Sequence, residues 1–250
     1  MGADDRPHPG RLAVTWLGHS TVLVELDGAT VLTDPLLRSR VAHLVRKPGV
    51  GYLRYLAPDL VLISHAHWDH LDRRSLRLVA PGACAVVPRR LGRLVAGLGF
   101  GDIFEVTEGD EVATGALRVC ATHAEHGGGA VGYVVRGSCA VYFAGDTDLF
   151  EGMASLGPGL ELALLPVSGW GPRLPPGHLD AEGAARALTM LAPRVAVPVH
   201  WGTFRPFYRR EPYPEDEAAP QRFAELAQEL APEVDVRILQ PGERTVIRSG

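Results

Sequence analysis

The apolar and polar positions alternate from the start of the chain. RLAVTWLGHSTVLVEL (11–26) is followed by Asp27-Gly28 and then ATVLTD (29–34). A period of two marks strands, and Asp-Gly supplies the positive φ of a tight turn. APDLVLISH (57–65) is a short apolar run and predicts a buried strand. DRRSLRLVA (72–80) predicts a helix capped by Asp72, and ACAVVP (83–88) another strand. RRLGRLVAGLG (89–99) predicts a second helix despite Gly92. The stretch 102–122 predicts strands broken at Glu108-Gly109-Asp110 and Thr114-Gly115, and 129–146 a hairpin around Gly137-Ser138. LELALLPVS (160–168) predicts a buried strand, and DAEGAARALTML (180–191) a helix opened by Asp180, with Glu182 complementing its dipole. RVAVPVHW (194–201) predicts a strand, PQRFAELAQEL (220–230) a helix and VDVRIL (234–239) a closing strand.

Strands come first, then helix and strand alternate, and the whole order repeats. No low-complexity linker divides the halves. The expected fold is therefore α/β: one domain over 11–250 with two sheets packed between helices, behind a flexible tail over 1–10. Five apolar runs end in polar residues, at Asp34, His65, Asp146, Ser168 and His200. Sites in open α/β sheets gather at strand ends, so these tips are expected to converge.

Composition narrows the function. The hydrophobic share is 46% and the charged share 22%, both ordinary for a globular domain, and the formal net charge of −4 gives no basic field to attract nucleic acid. Arg89, Arg90 and Arg93, and the pair Arg209 and Arg210, read as solvated faces. Cys84, Cys120 and Cys139 contain no CxxC and read as small buried hydrophobes rather than disulfides or thiolate ligands. The first residues lack an apolar signal core, and no apolar run reaches the ~18 residues of a membrane span. A cytoplasmic setting and a small-molecule substrate are expected; the oligomeric state is open.

Three histidines and an aspartate fall within six residues in HAHWDH, at His65, His67, Asp69 and His70. Side chains of a strand alternate, so His65 and His67 point the same way and can share an ion. Asp69 and His70 point elsewhere once the chain turns. Four ligands from six residues crowd one small ion and fit better as two pairs serving two neighbouring ions. His126 can complete the first pair and His200 the second, while Asp146 can bridge. Such a nitrogen and oxygen set suits zinc best, with manganese or iron as alternatives. Two such ions about 3.5–4 Å apart can hold a bridging hydroxide, a nucleophile for an ester, lactone, amide or phosphodiester. There is no GxSxG elbow for a serine mechanism.

These residues resemble the metallo-β-lactamase-fold hydrolases. TWLGHST, VLTDP, VLISHAHWDHLD, YFAGDTD, GHLDAEGA and PVHWGTF are similar to the branch holding L-ascorbate-6-phosphate lactonase and N-acylphosphatidylethanolamine-hydrolysing phospholipase D. The resemblance implies a four-layer αββα sandwich and two divalent ions. It places His65, His67 and His126 on one ion and Asp69, His70 and His200 on the other, with Asp146 between them. It assigns Asp69 to the catalytic machinery, and His178 as a histidine beside the substrate that stabilises an oxyanion or protonates the leaving group. Thr122, Ala124 and His126 match the branch's pattern and favour His126 over His123 as third ligand. Asp34 and His19 are expected to orient ligands rather than bind metal. The third histidine is followed by GGGAVGY, without the arginine often found there in that branch.

The segments 36–58, 168–178 and 201–214 leave strand tips and are expected to shape a pocket. Trp68, Trp170, Trp201, Tyr52 and Phe204 are candidates for its apolar wall, and Arg46, Arg173 and Arg205 for an anion contact. The leading expectation is hydrolysis of a small soluble ester, lactone or phosphoester. A metal-dependent phosphodiesterase or nuclease is the alternative, and behind it a di-iron redox protein of the same fold. Nucleases of this type usually carry an RNA-clamping arm, and the redox proteins place Glu where His67 stands.

Overall fold

A computed structural model describes residues 10–47, 56–157, 159–169, 171 and 173–249. The expectations for the tail over 1–9, for Tyr52 and for Trp170 fall outside these residues. The chain opens with an antiparallel meander, β1 (Arg11–Gly18), β2 (Thr21–Leu26) and β3 (Ala29–Thr33). Two short strands follow, β4 (Arg40–Val41) and β5 (Leu44–Arg46), before β6 (Leu60–Leu62) joins β3 in parallel. Helix α1 (Arg73–Val79), β7 (Cys84–Pro88), α2 (Gly92–Val95) and β8 (Ile103–Val106) extend that sheet in parallel.

The second sheet starts with β9 (Glu111–Thr114), β10 (Leu117–His123), β11 (Val131–Arg136) and β12 (Ala140–Phe143), all antiparallel. It continues through α3 (Met153–Leu156), β13 (Leu160–Pro166), α4 (Ala181–Leu191) and β14 (Val195–Val199), with parallel strand pairing. β15 (Phe204–Pro206), α5 (Pro214–Leu230), β16 (Asp235–Val236) and β17 (Arg244–Ser249) complete the chain. The strand orders are β17-β1-β2-β3-β6-β7-β8 and β16-β14-β13-β12-β11-β10-β9, with β15-β5-β4 as a third, small sheet.

Strand alternation explains the layering. Leu60 and Leu62 of β6 face the large core between the sheets, while Val61 and Ile63 face the other way, onto Leu76, Val79 and Val95 of the helical side. Ala184, Leu188 and Leu191 of α4 and Phe223 of α5 cover the second sheet from outside. The result is the four-layer αββα sandwich: each sheet is buried on both faces, which is why its strands read as nearly continuous apolar runs.

Several expectations are corrected. The helix expected over 89–99 shrinks to four residues, because Arg90, Gly97 and Gly99 all take positive φ and break it on both sides. Helix α5 begins at Pro214, six residues before the expected start at Pro220, which lies inside it. Proline at the first helical position and Glu215, Asp216 and Glu217 in the first turn favour this earlier start. The closing strand is β17, antiparallel to β1, and VDVRIL contributes only the short β16. β4, β5 and β15 lie in segments read as irregular. The caps Asp72 and Asp180 hold as expected, accepting from the backbone N–H of Ser75 and Gly183. No helix among the described residues is long and apolar enough to cross a membrane.

Candidate metal centre

Strand ends from both sheets meet at one point, and the backbone there is unusual. His19, Asp34 and His200 all have left-handed φ, of 55, 31 and 64°. Non-glycine residues reach that region at a cost, and such outliers gather where function constrains the chain. Gly145, just before Asp146, has φ 62°; a Cβ there would sit 2.5 Å from the Cβ of Ser64. The FAGD tip can approach the SHAH tip only because residue 145 is glycine.

Around that point lie the residues singled out above. His65 Nε2 is 2.9 Å from His67 Nδ1, and His126 Nε2 is 3.2 Å from the same atom. These two residues share a face through a turn rather than through strand pleating, since β6 ends at Leu62. The backbone N–H groups of His70 and Leu71 both donate to His67 O, closing a turn that redirects Asp69 and His70. Asp69, His70 and His200 form a second group, joined by His19. Asp146 stands between the groups. Its Oδ2 is 3.1 Å from His70 Nε2 and 3.8 Å from His65 Nε2, and its Oδ1 is 3.4 Å from His200 Nε2.

His123 stays outside the cluster. It is half-exposed, its Nδ1 bonds Glu108 and its Nε2 bonds Glu125. His19 has Nε2 3.1 Å from Asp69 Oδ2 and its ring 4.0 Å from that of His200. Asp34 is buried against the same cluster. It accepts from Ser64 N (2.7 Å) and Ser64 Oγ (2.5 Å), and it holds His70 Nδ1 at 2.7 Å.

The outer partners determine which nitrogen of each ring faces inward. The carbonyls of Gly177 and Ser168 lie 2.7 Å from His126 Nδ1 and His200 Nδ1. A carbonyl only accepts, so Nδ1 carries a hydrogen, and Nε2 is the nitrogen that can offer a lone pair to the centre. Ser64 Oγ spends its hydrogen on Asp34 and so accepts from His65 Nδ1, with the same result. Ser64 and Gly177 escaped the sequence reading, because contacts between an orienting group and a distant ring have no spacing to detect.

The electrostatics favour positive charge at this point. Burial works against ionising Asp146, yet the facing His200 and His70 hold its carboxyl well below the usual range. Asp69 is buried too, and His70 with His19 likewise keeps it ionised. Burial opposes charge on His70, but Asp146 and Asp69 outweigh it and raise its pKa well above the ordinary value. Burial, with His70 beside it, pushes His65 far down, and burial with His200 lowers His19 to about 3. Two buried carboxylates thus face His65 and His19, which burial keeps neutral, and share the positive charge of His70. His70 Nε2, His200 Nε2 and Asp146 Oδ1 are buried without a hydrogen-bond partner among the described residues, His70 Nε2 lying in ion-pair range of Asp146 Oδ2 at 3.1 Å. Ring nitrogens converging on two ionised carboxylates, against the single charge of His70, fit cations.

The cluster opens into a cavity of about 510 Å³ bordered by His67, Trp68, Asp69, Asp146, Arg173, Leu174, Pro175, His178 and His200. His178 Nε2 is 3.3 Å from Asp146 Oδ2. Of the expected wall residues, Trp68 lines this cavity. Trp201 instead stacks on Trp16 in the core, and Phe204 is buried with Leu36, Val41 and Leu44. Of the expected anion contacts, Arg173 lines it. Arg46 is buried and donates to the carbonyls of Leu17, Leu36 and Arg38, and Arg205 donates to those of Pro206 and Arg209.

Asp216 lies behind the centre, in the first turn of α5, and accepts from Gly202 N at 2.9 Å. Burial raises its carboxyl to about 7, against opposing bonds from Ser168 and Gly202. The folded chain therefore holds a proton here that the unfolded chain releases near 4, and the stability this contributes falls as pH rises from about 4 to 7. Asp216→Asn keeps an acceptor for Gly202 and removes the titration. Its melting temperature should exceed that of the wild type at pH 8, with the gap closing by pH 4. Parallel melting curves across that range would exclude the raised carboxyl.

Residues 29–201 match the beta-lactamase superfamily domain. The structure of Igni18, a metallo hydrolase from Ignicoccus hospitalis, is similar with a TM-score of 0.73 and 28% identity, over 94% of this chain and 98% of that one. CmlA, a diiron beta-hydroxylase from Streptomyces venezuelae, shares the fold at a TM-score of 0.71 and 20% identity, over 97% of this chain and 54% of the other. Fold and site together define a metal-dependent hydrolase of the metallo-β-lactamase superfamily. A UPF0173 metal-dependent hydrolase of Methanopyrus kandleri is 34% identical over 93% of this chain and 98% of its own length. The chain belongs to that UPF0173 metal-dependent hydrolase family.

Proposed function

We propose that the centre holds two divalent cations, zinc by its donor chemistry, and hydrolyses a small ester, lactone or phosphoester. In this reading His65, His67 and His126 hold one ion, Asp69, His70 and His200 the other, and Asp146 both. The observation that carries it is the set of inward-facing ring nitrogens around two ionised carboxylates, three of whose atoms are buried without a partner. Bound there, the ions would supply Lewis acidity and a water ionised near neutral pH.

The chain's own residues do the rest. Asp69, with Oδ2 fixed by His19, borders the cavity as a charged acceptor that orients the attacking water. His178 lies between acceptors on both ring nitrogens, Pro175 O at 3.1 Å and Asp146 Oδ2 at 3.3 Å. That placement keeps a proton on the ring for the leaving group or a developing oxyanion. Trp68, Leu174 and Pro175 give the cavity an apolar side for the body of the substrate. Chelator treatment is expected to abolish hydrolysis across a panel of lactones, esters and phosphodiesters, with zinc or manganese restoring it. His67→Ala serves as the control that does not recover. A chelated, metal-free protein that stays active would end this reading.

A further inference from the structure

A second open space borders the same centre. A groove of about 810 Å³ is lined by His126, the bare loop Gly127–Gly129, Glu108, Arg89 and Arg90. His126 joins it to the cavity, since its Nε2 lies 3.2 Å from the cavity residue His67. The three glycines leave the floor open: a Cβ added at any of them would meet no atom within 4 Å. The loop itself carries no charge, so the cations of this groove come from another element, the turn after β7. Both arginines are exposed, and the nearby acids are engaged elsewhere, Glu108 by His123, Asp110 (which Arg89 faces) by Thr107 and Glu105 by Gly92 N.

Arg90 is the informative residue. Its backbone has φ 74°, a region where glycine rests easily and a side chain costs energy. Among the described residues its guanidinium has no hydrogen bond or ion pair. The chain therefore carries a strained backbone at a position whose guanidinium makes no polar contact with the described residues.

Resting on the hydrolase reading above, we propose that the substrate is anionic, its reacting group at the centre and a carboxylate or phosphate reaching over Gly127–Gly129 to Arg90 and Arg89. Guanidinium forks suit both oxyanions. Arg90 and Arg89 thus determine specificity.

Binding of two isosteric probes tests this by calorimetry on the zinc-loaded full chain: succinanilic acid, which ends in a carboxylate, and neutral 4-methylpentananilide, which ends in an isopropyl group of the same shape. The wild type should prefer the acid. Arg90→Gly should cut that preference roughly tenfold, the weight of a charge-assisted hydrogen bond. It should fold at least as stably as the wild type, because glycine relieves the backbone. Arg89→Ser with Arg90→Gly should erase most of the preference, and Arg77→Ala, on the exposed face of α1, should leave it intact. A preference that survives in the double variant belongs to the centre or to Arg173 and overturns the proposal, as does a wild type with no preference. Monophenyl succinate and phenyl 4-methylpentanoate, in which the anilide is replaced by a phenyl ester, separate the two readings. Arg90-dependent binding without hydrolysis removes the hydrolase and keeps the groove; hydrolysis blind to Arg90 does the reverse.

Discussion

Asp146→Asn should empty the centre. Asp146 is buried, stands within 4 Å of His65, His70, His178 and His200, and provides the charge shared by both halves of the cluster. Asparagine has nearly the same shape but no charge, and its amide would turn a donor toward inward lone pairs. Loss of a partner outside the centre typically costs ~10–100-fold in metal affinity, and loss of this shared carboxylate should exceed that. Metal per chain, measured by mass spectrometry after gel filtration, should fall well below the wild-type ratio. Hydrolysis should fall with it, and excess metal should restore it only in part. A variant with the wild-type metal content and rate would show that Asp146 is not shared between ions.

The second large effect belongs to a residue that touches no ion in this scheme. Asp34 is fully buried and receives three hydrogen bonds, two from Ser64 and one from His70 Nδ1. Asp34→Ala strands all three donors, and removing one partner of such a buried charged set costs about 3–5 kcal/mol. Asp34→Asn distinguishes the two roles. It can still accept from Ser64 N through one oxygen, so the fold loses less. Its NH₂ then faces His70 Nδ1, which must become an acceptor, moving the ring hydrogen to the inward Nε2. Metal affinity should fall ~10–100-fold in Asp34→Asn while most of the stability remains. Urea unfolding and competitive metal titration separate the two quantities. An asparagine variant that binds metal like the wild type would show that Asp34 supports the fold alone.

Much of the centre was legible in the sequence because its chemistry is compact. HAHWDH puts His65, His67, Asp69 and His70 into six residues, and four apolar runs ending at Asp34, Asp146, Ser168 and His200 pointed to where the rest would come from. His126 was separable from His123 only through resemblance, and the structure shows the physical difference: His123 is engaged by Glu108 and Glu125 at the surface. Pocket residues were less readable. Trp201 and Phe204 had the right composition for a wall but went to the core, because packing against Trp16 and Leu36 decides burial and is non-local. Arg46 was likewise drawn inward to satisfy the carbonyls of Leu17, Leu36 and Arg38. Helix α2 and strand β17 were misjudged where local signals were weak: a helix interrupted by positive φ, and a strand whose partner β1 is more than two hundred residues away.

Periodicity and donor spacing thus determined, by themselves, the α/β class, the order of the main elements and the quartet His65, His67, Asp69 and His70, since these depend on near neighbours in the chain. Only the tertiary structure decided which nitrogen of each ring faces inward, which arginines stay available at the groove and which aromatics line the cavity. Those outcomes depend on hydrogen-bond partners and packing surfaces brought together from distant strands, and a linear pattern of residues carries no record of them.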